Sequence, residues 1–135
     1  MREEIFTAPW IAAWRARLDG SETYKRVAAD WETTLVVAAG DRAAFLDLFH
    51  GACRGARVAT DTDRTSARFA LGAEPEVWEQ LLAGRLDPAA AVMSGALRVD
   101  RGSFVALLPF VAAARQLLAE AAEVEASFSR ARSSG

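Results

Sequence analysis

The sequence predicts an α+β fold, one five-stranded mixed β-sheet covered by helices. Three observations carry this. Apolar residues recur at helical spacing toward both ends of the chain. The centre switches to continuous apolar runs and period-two alternation. The residues between these segments fall into hairpin-turn and helix-cap patterns. The chain has 135 residues, enough for one core and too few for two. With 52% hydrophobic and 25% charged residues, it is excluded from the mainly disordered class.

Each element follows from its own residues. Pro9 suits the first turn of a helix with Thr7 or Ala8 in the cap region, and Trp10, Trp14 and Leu18 lay an apolar stripe along it. Asp19-Gly20 ends this helix. Ser21 caps a second, which carries Tyr24, Val27, Ala28 and Trp31. Leu35 to Ala39 is an apolar run rich in β-branched residues, as in a strand buried on both faces. Gly40-Asp41 makes a tight hairpin turn into a strand from Phe45 to Phe49. His50-Gly51 turns into a third strand, Cys53 to Thr60. Asp61 to Arg64 reads as a polar connection. Ala67, Phe69 and Leu71 alternate with Ser66, Arg68 and Ala70, the pattern of a half-buried strand.

The helical period then returns. Pro75 opens a helix bearing Val77, Trp78, Leu81 and Leu82 that stops at Gly84. Asp87-Pro88 starts a short helix, Ala89 to Met93, that ends at Gly95. Leu97 and Val99 form a fifth strand, turned at Arg101-Gly102. Ser103 caps a long last helix whose stripe is Phe104, Leu107, Leu108, Val111, Leu118 and Ala122, bent near Val105 by Pro109. Residues 1–126 form the single domain and 127–135 a flexible tail.

Charge and chemistry exclude several function classes. The net charge is −2 and the pI about 5.4, without the basic surplus of a general nucleic-acid binder. The longest uncharged stretch, Gly102 to Ala114, is too short to cross a membrane. There is one Cys and one His, so neither an internal disulfide nor a complete zinc site can form from them. His50 and Cys53 flank a turn, and the Asp61/Asp63 pair lacks the glycine and distal glutamate of a calcium loop; turn chemistry accounts for both pairs and no metal is expected. No serine sits in a nucleophile elbow, no glycine-rich loop carries a Lys–Ser/Thr pair, and no acid is placed with a base. Met1-Arg2-Glu3-Glu4-Ile5 has no apolar signal region and Ser133-Ser134-Gly135 is no peroxisomal signal, so a reducing cytoplasm is the expected location. Arginine replaces lysine everywhere but Lys25, which together with the alanine content suggests a GC-rich bacterial genome.

The stretch Trp78-Glu79-Gln80-Leu81-Leu82-Ala83-Gly84-Arg85-Leu86-Asp87-Pro88, followed by Ala90 to Val99, resembles the hallmark of the sterol carrier protein type-two family. Members carry a helix ending in a leucine, small residue, glycine, basic residue, leucine and Asp-Pro. A short helix, a glycine and a strand of the form x-Leu-basic-apolar follow, and Gly102 matches the glycine before the terminal helix. The resemblance covers Phe69 to Leu118, with Phe45-Leu46-Asp47-Leu48 in agreement upstream. It implies a five-stranded mixed sheet backed by helices, with an apolar tunnel between them. It also implies a non-catalytic protein without cofactors that binds and transfers a sterol, fatty acid or fatty acyl-CoA.

On that resemblance the lipid-binding positions are Trp78, Leu82, Leu86, Met93, Leu97, Phe104, Leu108 and Val111. Arg98 or Arg101 would meet a head group, although solvated surface explains both. The chain departs from the family in Pro109 and in lacking a peroxisomal tail. A second function stays open: a ligand-free interaction or dimerisation domain that serves a partner enzyme, to which Trp10, Trp14 and Phe128 would contribute. A monomer or homodimer is expected.

Overall fold

The computed structural model describes residues 5–134, apart from the side chains of residues 129 and 131–134. The acidic opening Met1 to Glu4, on which the signal-peptide expectation rests, and Gly135 lie outside the described residues. The elements run α1 (Ala8–Gly20), α2 (Glu22–Val27), β1 (Glu32–Ala39), β2 (Arg42–Phe49), β3 (Ala52–Val58), α3 (Asp61–Ser66), β4 (Phe69–Ala73), α4 (Pro75–Leu82), α5 (Pro88–Ser94), β5 (Arg98–Arg101), α6 (Phe104–Leu107), a 3-10 turn (Leu108–Phe110) and α7 (Val111–Ser134). The five strands form one sheet in the order β3-β2-β1-β4-β5. β1 and β4 pair in parallel, and the other neighbours are antiparallel. The mixed α+β sheet expected from the sequence is therefore present.

Turn chemistry sets the β1–β2–β3 meander. Gly40 takes φ 62° as the first residue of its hairpin turn, while His50 and Gly51 both take positive φ, 48° and 87°. Positive φ at both central positions gives a turn whose twist matches that of the strands it joins. Two strand faces result. Leu35, Val37 and Ala39 of β1 join Ala44, Leu46 and Leu48 of β2 and Phe69 and Ala73 of β4 in the main core beneath the helices. Val36 and Ala38 face the other way, into a small cluster with Ala43, Phe45, Ala67 and Ala70. The continuous apolar run of β1 thus reflects burial on both sides. On that second face Arg57 lies over the Phe45 ring at 4.3 Å and is itself held by Asp63 at 2.6 Å.

The helical layer closes the main core. α1 packs against β3 and α7, while α2 and α4 also pack against α7. The stripe Trp10, Trp14 and Leu18 is fully buried, as its spacing predicts. Glu120 of α7 ties these helices together. Its carboxylate accepts from Ser21 Oγ at 2.8 Å, Arg17 Nε at 3.0 Å and Gln116 Nε2 at 2.8 Å. Burial opposes its charge, but these three donors hold its pKa below the ordinary glutamate value.

Four segments differ from the sequence expectation. Asp61 to Ser66 is a helix rather than a polar connection, because Thr60 and Asp63 form a reciprocal capping box around its first turn. α2 ends at Val27, so Trp31 belongs to the lead-in of β1 and not to a helical stripe. The last helix is interrupted rather than bent: Pro109 sits in the 3-10 turn between α6 and α7. Residues 127–134, expected as part of a tail, continue α7, and Phe128 packs against the main core. By length and composition alone Phe104–Phe128 is long and apolar enough to cross a membrane, although its longest uncharged part is shorter. Here Ala113, Leu117, Ala121 and Val124 are buried in the main core.

Candidate functional site

The space between the sheet and the helices holds an apolar cavity of about 80 Å³. Leu35 and Val37 of β1 and Leu71 of β4 line it from the sheet. These three share one strand face because side chains alternate with period two, and the parallel register sets Val37 opposite Leu71. Trp14, Trp78, Val92, Phe104, Leu107 and Leu117 line it from the helices, with Trp31 and Leu97 from the connections. The space the structure shows is one cavity, and the indole rings of Trp14, Trp31 and Trp78 are part of its lining.

Two of these indoles are anchored by hydrogen bonds. Trp78 Nε1 donates to the Ala38 carbonyl at 2.7 Å, and Trp14 Nε1 donates to the Leu117 carbonyl at 3.1 Å. Phe6 stacks on Trp14 at 6.2 Å and meets Trp78 edge-on at 5.5 Å. Trp31 stacks on Phe110 at 5.8 Å, but its Nε1 is buried with no acceptor among the described residues.

One charged side chain, Arg115 of α7, belongs to the cavity lining. Its Nη1 donates to Asp87 Oδ1 at 2.6 Å, and Asp87 Oδ2 accepts from the Ala90 N–H at 3.1 Å as the cap of α5. The Arg115 guanidinium, then the Ala90 N–H, hold the Asp87 carboxyl below the usual aspartate range. Pro88, Arg115 and Leu118 also border an open groove of about 530 Å³, floored by Leu81, Leu82, Leu86, Ala119 and Ala122. Cavity and groove are thus neighbours across a shared wall, with the ion pair at that wall.

No family model matches the chain, and no curated protein matches it; solved structures do. The crystal structure of a sterol carrier protein 2 superposes with a TM-score of 0.80, at 36% identity, covering 89% of this chain and 98% of that one. The chain belongs to the sterol carrier protein 2 family. The solution structure of a possible sterol carrier protein from Thermus thermophilus agrees, with a TM-score of 0.79 and 37% identity over 90% of each chain. The apo sterol carrier protein 2 of Yarrowia lipolytica shares the fold at 17% identity and a TM-score of 0.59, covering 82% of this chain and 88% of that one.

Within this sterol carrier protein 2 fold the sequence-derived positions separate into three groups. Trp78, Leu97, Phe104 and Val111 line the cavity. Leu82 and Leu86 line the groove outside it. Met93 and Leu108 do neither: they are 81% and 51% exposed. For Met93 the reason is helical phase. Ala91 is the buried residue of α5, and Pro88, Ala89 and Val92 face the cavity, so position 93 turns outward. For Leu108 the 3-10 turn changes the phase after Leu107, and the stripe continues through Ala113, Leu117, Ala121 and Val124 instead.

Arg98 and Arg101 sit on β5 and are absent from the cavity lining. Arg98 pairs with Asp100 at 3.4 Å, and Arg101 Nε donates to the Ala67 carbonyl at 2.9 Å. Sequence reasoning missed Arg115 and the sheet-side residues Leu35, Val37 and Leu71. The alternation of β4 already carried the signal for Leu71; Arg115 stands alone among the alanines of its turn.

The metal candidates are used elsewhere. His50 Nδ1 lies 2.9 Å from the Ala29 carbonyl and its Nε2 3.5 Å from Glu32. Cys53 Sγ donates to the Gly55 carbonyl at 3.3 Å, and burial pushes its thiol up to about 11. Asp63 completes the capping box of α3 with Thr60, while Asp61 opens its first turn. Among the described residues no three His, Cys, Asp or Glu side chains are grouped as a metal would need.

Proposed function

We propose that this chain binds a lipid or comparable long apolar amphiphile in the cavity and carries it without chemical change. The observation that supports this most directly is the cavity itself. It is lined by apolar side chains from both layers and has one charged residue, at the wall it shares with an open groove. An apolar tail moved from water into such a lining gains about 0.8 kcal/mol per buried methylene before the entropy cost of association. The cavity is small, about 80 Å³, against about 150 Å³ for an engineered apolar cavity that holds a benzene. A chain-bearing ligand therefore enters by parting the short elements α5, α6 and the 3-10 turn, or by lying partly in the groove. The role is that of a carrier and not an enzyme, in the cytoplasm.

The small volume also favours a second reading, a ligand-free interaction domain. Its contact surface would include the exposed apolar side chains Met93, Val105 and Leu108. One experiment separates the two. Purified protein is extracted with denaturing organic solvent and the extract analysed by mass spectrometry. A stoichiometric lipid supports the carrier. A clean extract, together with no shift in melting temperature on adding fatty acid or sterol, supports the interaction domain.

A further inference from the structure

We propose that Arg115 is the head-group anchor of the cavity and selects amphiphiles ending in a carboxylate, which would take the place that the Asp87 carboxylate occupies in the structure. The inference rests on the lipid-binding reading above. Arg115 is the one charged residue of the cavity lining among the described residues; its stem faces the apolar space while its guanidinium, 51% exposed, meets Asp87 beside the groove, so a ligand whose tail enters the cavity finds a positive charge of that lining only there. Arg115 also borders the groove, so a head placed there stays in contact with water while the tail is enclosed.

The present partner of Arg115 shows that a carboxylate fits. It is a carboxylate oxygen, Asp87 Oδ1, 2.6 Å from Nη1. A guanidinium fork can hold a carboxylate through two parallel N–H bonds, and this contact uses one nitrogen. Both partners are solvent-accessible, with side chains 51% and 44% exposed. Exposed pairs of this kind contribute little net stability, so replacing one carboxylate by another costs the fold little. Asp87 is not stranded by the exchange, since its Oδ2 keeps the Ala90 N–H and water reaches it. The other arginines near the wall fit less well. Arg85 lines the groove but not the cavity, and Arg98 and Arg101 line neither.

The test is isothermal titration of the full chain near neutral pH with dodecanoate, dodecan-1-ol and dodecyl phosphate. The wild type should prefer dodecanoate over dodecan-1-ol by about tenfold or more, the size of one hydrogen bond to a charged group. Arg115→Gln should bring that ratio close to one, and Arg115→Lys should keep part of it. Asp87→Asn retains a good cap for α5 while removing the competing charge, and should raise the ratio above the wild type's. Circular dichroism melts check that each variant folds; if Arg115→Gln does not, the Asp87→Asn ratio decides. An unchanged ratio in Arg115→Gln, a lower ratio in Asp87→Asn, or tighter binding of dodecyl phosphate than of dodecanoate overturns the proposal. A wild type that binds acid and alcohol equally overturns the anchor while leaving lipid binding intact. A wild type that binds none of the three removes lipid binding and the anchor with it.

Discussion

The indole Nε1 of Trp14 donates a hydrogen bond to the main-chain carbonyl of Leu117 at 3.1 Å, joining α1 to α7 across a sequence separation of 103 residues. Both residues are buried and both line the cavity, so the bond fixes one of its walls. Trp14→Phe keeps an aromatic ring but removes the donor and some volume. It should destabilise the protein by about 1–2 kcal/mol, from the lost bond and the small void. Urea unfolding checks this, and a loss of only a few tenths would mean the bond contributes nothing net.

Adjacent residues of α5 should respond oppositely to the same substitution. Val92 lines the cavity, whereas Met93 is 81% exposed. Val92→Trp fills the space a ligand needs, costing at most about 1–3 kcal/mol by overpacking. Added dodecanoate, which should raise the wild-type melting temperature by mass action, should then have no effect. Met93→Trp should change stability by no more than about 0.5 kcal/mol and leave the ligand-dependent shift in place. Equal responses at the two positions would show that the ligand does not use this cavity.

Glu120 should contribute to acid sensitivity. Its pKa is depressed from 4.5 in the folded protein: burial works against the charge, and the donors Ser21, Gln116 and Arg17 outweigh it. A depressed carboxylate adds stability that is complete above its unfolded pKa, and that stability is lost as pH falls through the folded value. Glu120→Gln should therefore cost about 1–2 kcal/mol at neutral pH, since one or more donors lose a charged acceptor. It should also flatten the loss of stability below about pH 4.5 without abolishing it, because Asp63 is depressed as well, chiefly by the Thr60 N–H. Urea midpoints measured from pH 7 down to pH 3 give both numbers. A mutant whose acid limb is as steep as the wild type's would remove Glu120 from this role.

Cys53 should be inert while the fold is intact. Its thiol is buried, bonded to the Gly55 carbonyl, and pushed up to about 11, so almost no thiolate exists near pH 8. Ellman's reagent should label it slowly in buffer and at once in denaturant. Rapid labelling of the native protein would show that β3 opens at its edge.

Local rules were enough to read most elements of this chain. Caps at Ser21, Asp87 and Ser103, the turns at Gly40 and His50-Gly51, and the stripe Trp10, Trp14 and Leu18 all act within a few residues, so their meaning is written in the sequence. The motif around Gly84 to Val99 carried the family as well. α3 was missed although its capping box lies in Thr60 and Asp63, because six polar residues show no apolar period.

The site was less legible, for a different reason. An apolar side chain at a buried position looks the same whether neighbours fill the space beside it or a gap remains. That distinction depends on how far apart the sheet and helices sit, and three tryptophans from distant segments line the gap. Helix phase is equally non-local here. The turn at Pro109 resets which side of the last helix faces inward, so Leu108 is exposed while Leu117 is buried. The pairing of Arg115 with Asp87 joins α7 to the cap of α5, 28 positions away in the sequence, and only the tertiary structure brings them together.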